Sequence, residues 1–261
     1  MKLPLYWVDA FTSEAFRGNP AAVVPLTSWL PDGVMQQIAR ENGLSETAFL
    51  VRIGPATYHL RWFTPAVEID LCGHATLGTA FALFHHLGEA GEAIAFESRS
   101  GPLLVRRRGD LLELDFPAQP PEPAETSAAL AQALGRSPQQ FLRTKSRWLC
   151  VYTAAADVLD LQPDHSLLAK IVPGRITVTA PGTDCDFVSR TFVPEVGIPE
   201  DPVTGSAHCT LVPYWAARLG RTQLHARQVS ARGGELFCEL RADRVGIGGH
   251  AVLYLQGEIT V

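Results

Sequence analysis

One stretch of this chain occurs twice. RWFTPAVEID leads into LCGHATLGTAFALFHHLG across residues 61–88, and RTFVPEVGIPED leads into PVTGSAHCTLVPYWAARLG across residues 190–220. At an offset of 129, Arg61, Phe63, Pro65, Val67 and Ile69 fall on Arg190, Phe192, Pro194, Val196 and Ile198. After a three-residue insertion the offset is 132, and Gly73, Ala75, Leu87 and Gly88 fall on Gly205, Ala207, Leu219 and Gly220. Ser98, Gly101 and Leu104 then fall on Ser230, Gly233 and Leu236. Internal similarity that needs only one change of offset constrains the chain to two related halves.

Each copy reads as an extended segment, a glycine-containing turn, a helix and a hairpin. Leu77, Ala80, Phe81 and Phe84 in the first helix, and Leu211, Val212, Trp215 and Leu219 in the second, give each a face for packing. Gly88 and Gly220 stand where a C′ glycine ends a helix. Alternating apolar residues in 103–116 and 235–249 predict the hairpins. The proline-rich stretch PAQPPEPAE, 117–125, disfavours regular pairing and marks a linker. The predicted division is 1–117 for the first half and 118–261 for the second, with the last strand able to pack back on the first. Two such halves would leave a cleft between them, a common place for a small-molecule site.

Apolar residues make up 46% of the chain and charged residues 19%, enough for each half to bury a core. A net charge of −5 with no long basic stripe argues against a nucleic-acid partner. The one basic cluster, Arg106 to Arg108, precedes a Gly-Asp turn signal and reads as a solvated strand end. Five cysteines without a close-spaced pair make a poor disulfide framework and favour a reducing cytoplasm. No 18-residue apolar run or signal-peptide pattern occurs, so neither membrane nor export is expected.

Gly73 and Gly205 open the two helices, which places His74 and Ser206 in equivalent first turns. Unpaired N–H groups and the positive end of the helix dipole suit such a place to a carboxylate. The plainer readings are a chain turn at the glycines, a cap at Ser206 and a satisfied polar residue at His74. Recurrence in both halves speaks for the functional reading. Ser45 and Glu46 fall at a junction between a helix ending near Gly43 and a strand starting near Thr47. A carboxylate at such an edge can be partly desolvated, which suits it to moving protons near neutral pH. The plainer reading is an exposed, helix-flanking charge, and from spacing alone Glu46 is one candidate among many. The second half has TVTA, 177–180, at the corresponding place, so a repeat-built site would hold a single Glu. Asp201 precedes the second helix as a substrate-site carboxylate or a local turn and cap residue. Asn19, before Pro20, is biased to an extended form, for which a turn role suffices. Cys72-Gly73-His74 and His208-Cys209 contain ligand-type residues at spacings that match no common metal site, so no metal is expected. No phosphate loop, nucleophile elbow or dinucleotide fingerprint is present.

VDAFT (8–12), GNPAAVV (18–24), LSETAFL (44–50), DLCGHATLG (70–78), EDPVTGSAHC (200–209) and QVSARGGEL (228–236) together resemble the PhzF family of phenazine-biosynthesis-like isomerases, related to diaminopimelate epimerase. The resemblance runs from about residue 8 to 250. It implies an α/β (α+β) fold of two pseudo-symmetric halves, each a curved, barrel-like sheet around a central helix, with the active site in the cleft. It further implies that Glu46 is the acid/base, that His74 and Asp201 assist catalysis, and that Asn19, Ser45, Gly73, Gly205 and Ser206 bind substrate. The expected chemistry moves a proton between carbons of a small carboxylate-bearing substrate, without a cofactor, in a homodimer. One alternative is a two-cysteine racemase or epimerase. Cys72 is suitably placed for it, but Asp-Pro-Val stands before Thr204-Gly205 and Cys209 lies beyond. A second alternative is a small-molecule-binding relative without turnover; the presence of Glu46 and His74 speaks against it.

Overall fold

A computed structural model describes residues 1–171, 174–194 and 198–261. Val196, matched to Val67 in the repeat, lies outside the described residues. The chain forms two compact units, Met1–Asp115 with Gly248–Val261, and Phe116–Ile247. The first contains β1 (Lys2–Ala10), β2 (Asn19–Leu26), α1 (Asp32–Asn42), β3 (Glu46–Gly54), β4 (Thr57–Phe63), β5 (Glu68–Ile69), α2 (Gly73–His85), β6 (Ala93–Ser98) and β7 (Gly101–Arg108), and β8 (Leu111–Pro117) leads out of it. In the second unit β9 (Glu122–Pro123), α3 (Ala128–Leu134), β10 (Gln140–Arg143), β11 (Arg147–Val151), α4 (Ala155–Leu159), α5 (His165–Ile171) and β12 (Arg175–Pro181) come first. They are followed by β13 (Phe187–Val193), β14 (Ile198–Asp201), α6 (Gly205–Leu219), β15 (Gln223–Gln228), β16 (Gly234–Arg241) and β17 (Arg244–Gly249). The last strand, β18 (Ala251–Thr260), belongs to the first unit, where it pairs antiparallel with β1.

The two ladders run through the same series of orientations. In the first unit β1–β2 is antiparallel, β2–β3 parallel and β3–β4 antiparallel; β4 then takes β5 antiparallel and β6 parallel, and β6–β7 is antiparallel. In the second unit β10–β11 is antiparallel, β11–β12 parallel and β12–β13 antiparallel; β13 takes β14 antiparallel and β15 parallel, and β15–β16 is antiparallel. Parallel neighbours require a crossover connection. α1 and α2 supply the two crossovers of the first unit; α4 with α5, and then α6, supply those of the second.

The helices differ according to their place. α1 buries only Met35, Ile38 and Ala39, the narrow stripe of a surface helix. In α2, 11 of 13 residues are buried, the pattern of a helix enclosed on all sides. It packs on β1, β2, β3, β7 and β18, which makes it the central helix of its unit. A core of Leu3, Leu5, Ala22, Val24, Met35 and Phe49 fills the space under α1. A separate core around Leu130, Phe141, Tyr152, Ile176 and Phe192 serves the second unit.

Four details depart from the sequence reading. Gly220 ends α6 in the left-handed conformation, φ 67°, but α2 stops at His85 and Gly88 comes three residues later, because Leu87 and Glu89 N–H groups continue to satisfy the carbonyls of Ala82 and Leu83. Arg61 grips Glu68 through two bonds of 2.7 Å, and Arg190 grips Glu200 through two of 2.8 Å. This duplicated fork places Glu68 opposite Glu200, so the three-residue insertion lies before β14 and Ile69 corresponds to Asp201, not to Ile198. Arg107 is half-buried in place of solvated: its guanidinium lies 4.1 Å from the Phe84 ring and donates to the Phe84 carbonyl at 3.2 Å. Within the proline-rich stretch, Glu122 and Pro123 do pair with β10, at an edge where a missing donor is tolerated.

Gly18 sets the entry to β2. Its φ is 65°, and a Cβ there would stand 2.2 Å from the Ala10 carbonyl oxygen, which is backbone and cannot step aside. Gly18→Ala should therefore destabilise the protein by about 2–4 kcal/mol, readable as a fall in the urea midpoint at unchanged m-value.

Candidate active site

Asn19, Glu46 and His74 come together in the first unit from the starts of three elements. Asn19 is the first residue of β2, Glu46 the first of β3 and His74 the second of α2. All three are buried. Because β2 and β3 run parallel, with Ala21 opposite Glu46, both present their N-terminal ends at the same edge. His74 Nε2 lies 3.1 Å from Glu46 Oε2, and Asn19 Nδ2 lies 3.1 Å from His74 Nδ1. Cys72, the N-cap of α2, offers no side-chain cap and brings its Sγ to 3.5 Å from the same Nδ1. Gly73 opens the helix beneath them. Ser45 directly precedes Glu46 and is half-buried.

Asn19 can serve both protonation states of His74. With its amide NH2 turned to Nδ1, the ring is the neutral tautomer that carries its proton on Nε2, the nitrogen nearest the Glu46 carboxylate. With the amide rotated, its oxygen accepts from the Nδ1–H of an imidazolium. Burial pulls the His74 pKa down, but Cys72 and Glu46 together push it well above the ordinary imidazole value. The Cys72 thiol itself is pushed up to about 11, first by burial and then by the Glu46 charge. At neutral pH, then, Cys72 is a thiol.

The second unit builds a parallel arrangement at α6. Thr204 is the N-cap without a side-chain cap of its own, Gly205 and Ser206 form the first turn, and Asp201 ends β14. Asp201 Oδ2 accepts from Thr204 Oγ1 at 2.6 Å, so a local turn role is part of what this residue does. Ser206 is not a cap: its Oγ accepts from Arg147 Nη2 at 3.1 Å and from Arg175 Nη1 at 3.2 Å. Gln228 accepts from the Thr204 N–H at 2.8 Å and donates to the Asp201 carbonyl at 2.7 Å, tying turn and helix start to β15. His208 Nδ1 donates to the Thr204 carbonyl at 3.0 Å, and burial lowers its pKa to about 4, so it is neutral. Thr76 Oγ1 donates in the same way to the Cys72 carbonyl at 2.5 Å in α2. Sequence reasoning missed Arg147, Arg175 and Gln228. Gln228 opens a motif that was already quoted, but the two arginines carried no repeat signal.

Residues 8–257 match the family of phenazine biosynthesis-like proteins, PhzC-PhzF. The chain belongs to that family. It is 51% identical over 259 residues to a Pseudomonas aeruginosa protein named as an uncharacterized isomerase, covering 99% of each. A crystal structure of a PhzF family protein from Enterococcus faecalis is similar over 100% of both chains, at 49% identity and a TM-score of 0.97. A probable proline racemase from Agrobacterium radiobacter, 13% identical with a TM-score of 0.69 over 99% of this chain and 92% of its own, shares the fold. The mixed α+β architecture expected from the sequence is therefore that of PhzF and of the epimerase-like proteins.

In this PhzF-family chain one cluster of three ligand-type residues occurs among the described residues: Glu46, Cys72 and His74, with donor atoms within 4.8 Å of one another. Within this cluster the shortest approach between two donor atoms is the 3.1 Å contact of His74 Nε2 with Glu46 Oε2. The same contact equips the pair to take and hold a proton out of water's reach. Its stability contribution has a definite sign. A raised folded pKa stabilises fully below the unfolded value of about 6.5, and the benefit is lost as pH rises through the folded value, at about 1.4 kcal/mol per pH unit. The stability of wild type minus that of His74→Gln, measured by urea unfolding, should accordingly decline from about pH 6.5 upward.

Proposed function

We propose that this chain is a PhzF-like isomerase that moves a proton between carbons of a small carboxylate-bearing substrate, with Glu46 as the acid/base. The observation that carries the reading is the buried contact of 3.1 Å between Glu46 and His74 at the start of α2. A single carboxylate can accept a proton from one carbon and return it to another on the same face. Help of this kind is worth ~10² to 10⁴ in rate. His74 positions the carboxylate and shares its proton, and Asn19 adjusts to either state. The uncapped first turns of α2 and α6, at Gly73 and at Gly205 with Ser206, supply N–H donors for substrate oxygens and for developing negative charge. Asp201 and Ser45 complete the proposed set. This scheme asks for no cofactor, and the setting is a cytoplasmic one; among the described residues no helix is long and apolar enough to cross a membrane.

The two-cysteine alternative is less well supported. It needs a thiolate, whereas Cys72 and Cys209 are each pushed up to about 11 by burial first. Thr204, not a cysteine, is the N-cap equivalent to Cys72.

Incubation of small unsaturated and amino acids in heavy water tests the proposal. Deuterium should enter a C–H position with wild type and fall by at least about 10²-fold with Glu46→Gln, while Cys72→Ala retains exchange. Exchange that survives Glu46→Gln and is lost with Cys72→Ala would replace this scheme with the thiol one.

We also propose a homodimer. Phe16 and Tyr254 are 71% and 47% exposed, with ring centroids 5.6 Å apart, and Trp7 adds a second edge contact to Tyr254 at 5.3 Å. Contiguous exposed aromatic surface of this kind suits a protein interface. Light scattering should give a dimer mass for wild type and a monomer mass for Tyr254→Arg; a monomeric wild type rejects the proposal.

A further inference from the structure

Among the described residues Arg147 is a buried cation without a paired carboxylate. It lies at the start of β11, 4% exposed, and donates to Thr177 Oγ1 at 2.7 Å and Ser206 Oγ at 3.1 Å. Arg175 is its register partner across the parallel β11–β12 pair and reaches the same Ser206 oxygen at 3.2 Å. Two guanidinium groups on neighbouring strands thus converge on one neutral hydroxyl. Among the described residues no carboxylate pairs with either at 4 Å or less. Burying a charge without a partner is costly, and like charges at paired strand positions add to the cost. Burial, followed by the charge of Arg175, lowers the Arg147 pKa to about 9, while Cys209 and Asp201 act in the opposite sense. Ser206 also belongs to the uncapped first turn of α6, whose N–H groups add to the positive potential. Arg175 is exposed and Arg147 is deep, so the cluster runs inward from solvent.

We propose that Arg147, Arg175 and the first turn of α6 form a binding site for a carboxylate group, and that this site anchors the substrate of the proposed isomerase. The inference rests on that function for the identity of the ligand, but on the arginines alone for the existence of the site. A carboxylate has two oxygens to offer, one to each guanidinium, and the resulting charge-assisted bonds supply the missing counter-ion.

The test is thermal unfolding and calorimetry of the full chain at low salt with succinate, its neutral diamide and inorganic phosphate. Succinate should raise the Tm of wild type and the diamide should not. Arg175→Met should weaken succinate binding by ~10-fold, and Arg147→Lys, which keeps the charge but not the fork, should also weaken it. Arg147→Met should abolish the shift and at the same time raise the Tm of the anion-free protein, since Thr177 keeps its partner Thr191 at 3.0 Å and the uncompensated charge is gone. A lower Tm for Arg147→Met with the succinate shift intact would assign Arg147 a purely structural role and overturn the proposal. A response to phosphate alone would overturn the carboxylate assignment. Glu46→Gln should keep the succinate shift, which separates the two readings: a shift without proton exchange in any substrate leaves this site standing and removes the isomerase, and exchange without an Arg147-dependent shift does the reverse.

Discussion

The enclosure of α2 governs what the first unit can do. A helix buried on nearly every side keeps its first N–H groups from bulk water, and Cys72, its N-cap, offers no side-chain cap. Polar side chains gather beside that first turn and contact one another. Asn19 and Glu46 arrive because parallel strands begin at the same edge, and His74 rides on the helix itself. Burial makes each contact stronger than it would be in water, and it makes an unsatisfied member costly. The cluster is therefore held in place by the same packing that removes it from water.

The second unit repeats the scaffold and changes the chemistry. Both helices return a side-chain donor to the carbonyl of their N-cap, through Thr76 in one and His208 in the other. Both units lock the hairpin before the helix with an arginine–glutamate fork. Where the first unit then places a carboxylate and an imidazole, the second places two guanidinium groups and a hydroxyl. The two helix starts are equivalent in the repeat, and one carries a carboxylate and an imidazole where the other carries positive charge.

Much of this was legible in the amino-acid order, and the reasons for the rest are physical. The repeat revealed the duplicated helix with its strands because glycine, proline and apolar spacing are local signals. It misplaced the insertion because Ile69 and Ile198 are identical by coincidence, whereas the equivalence of Glu68 and Glu200 shows only through the arginines they pair with. Glu46 was read from its junction and from resemblance, but its contact with His74 spans 28 residues and depends on the parallel pairing of β2 with β3. Asn19 read as a turn residue since nothing in Gly-Asn-Pro discloses a neighbour 55 positions away. Arg147 and Arg175 look like ordinary strand-end charges until β11 and β12 are laid side by side.

The return of β18 to the first unit imposes an order on synthesis. The second unit is one continuous stretch, and all of its internal pairings are available once residue 247 has been made. The first unit, although it is made earlier, lacks the outer neighbour of β1 until the residues beyond 250 have followed. Along β1 the open edge must wait through the translation of an entire second unit before it is covered, and an unpaired strand edge is the surface on which nascent chains associate. The half that carries the Asn19, Glu46 and His74 cluster is thus the last to be completed.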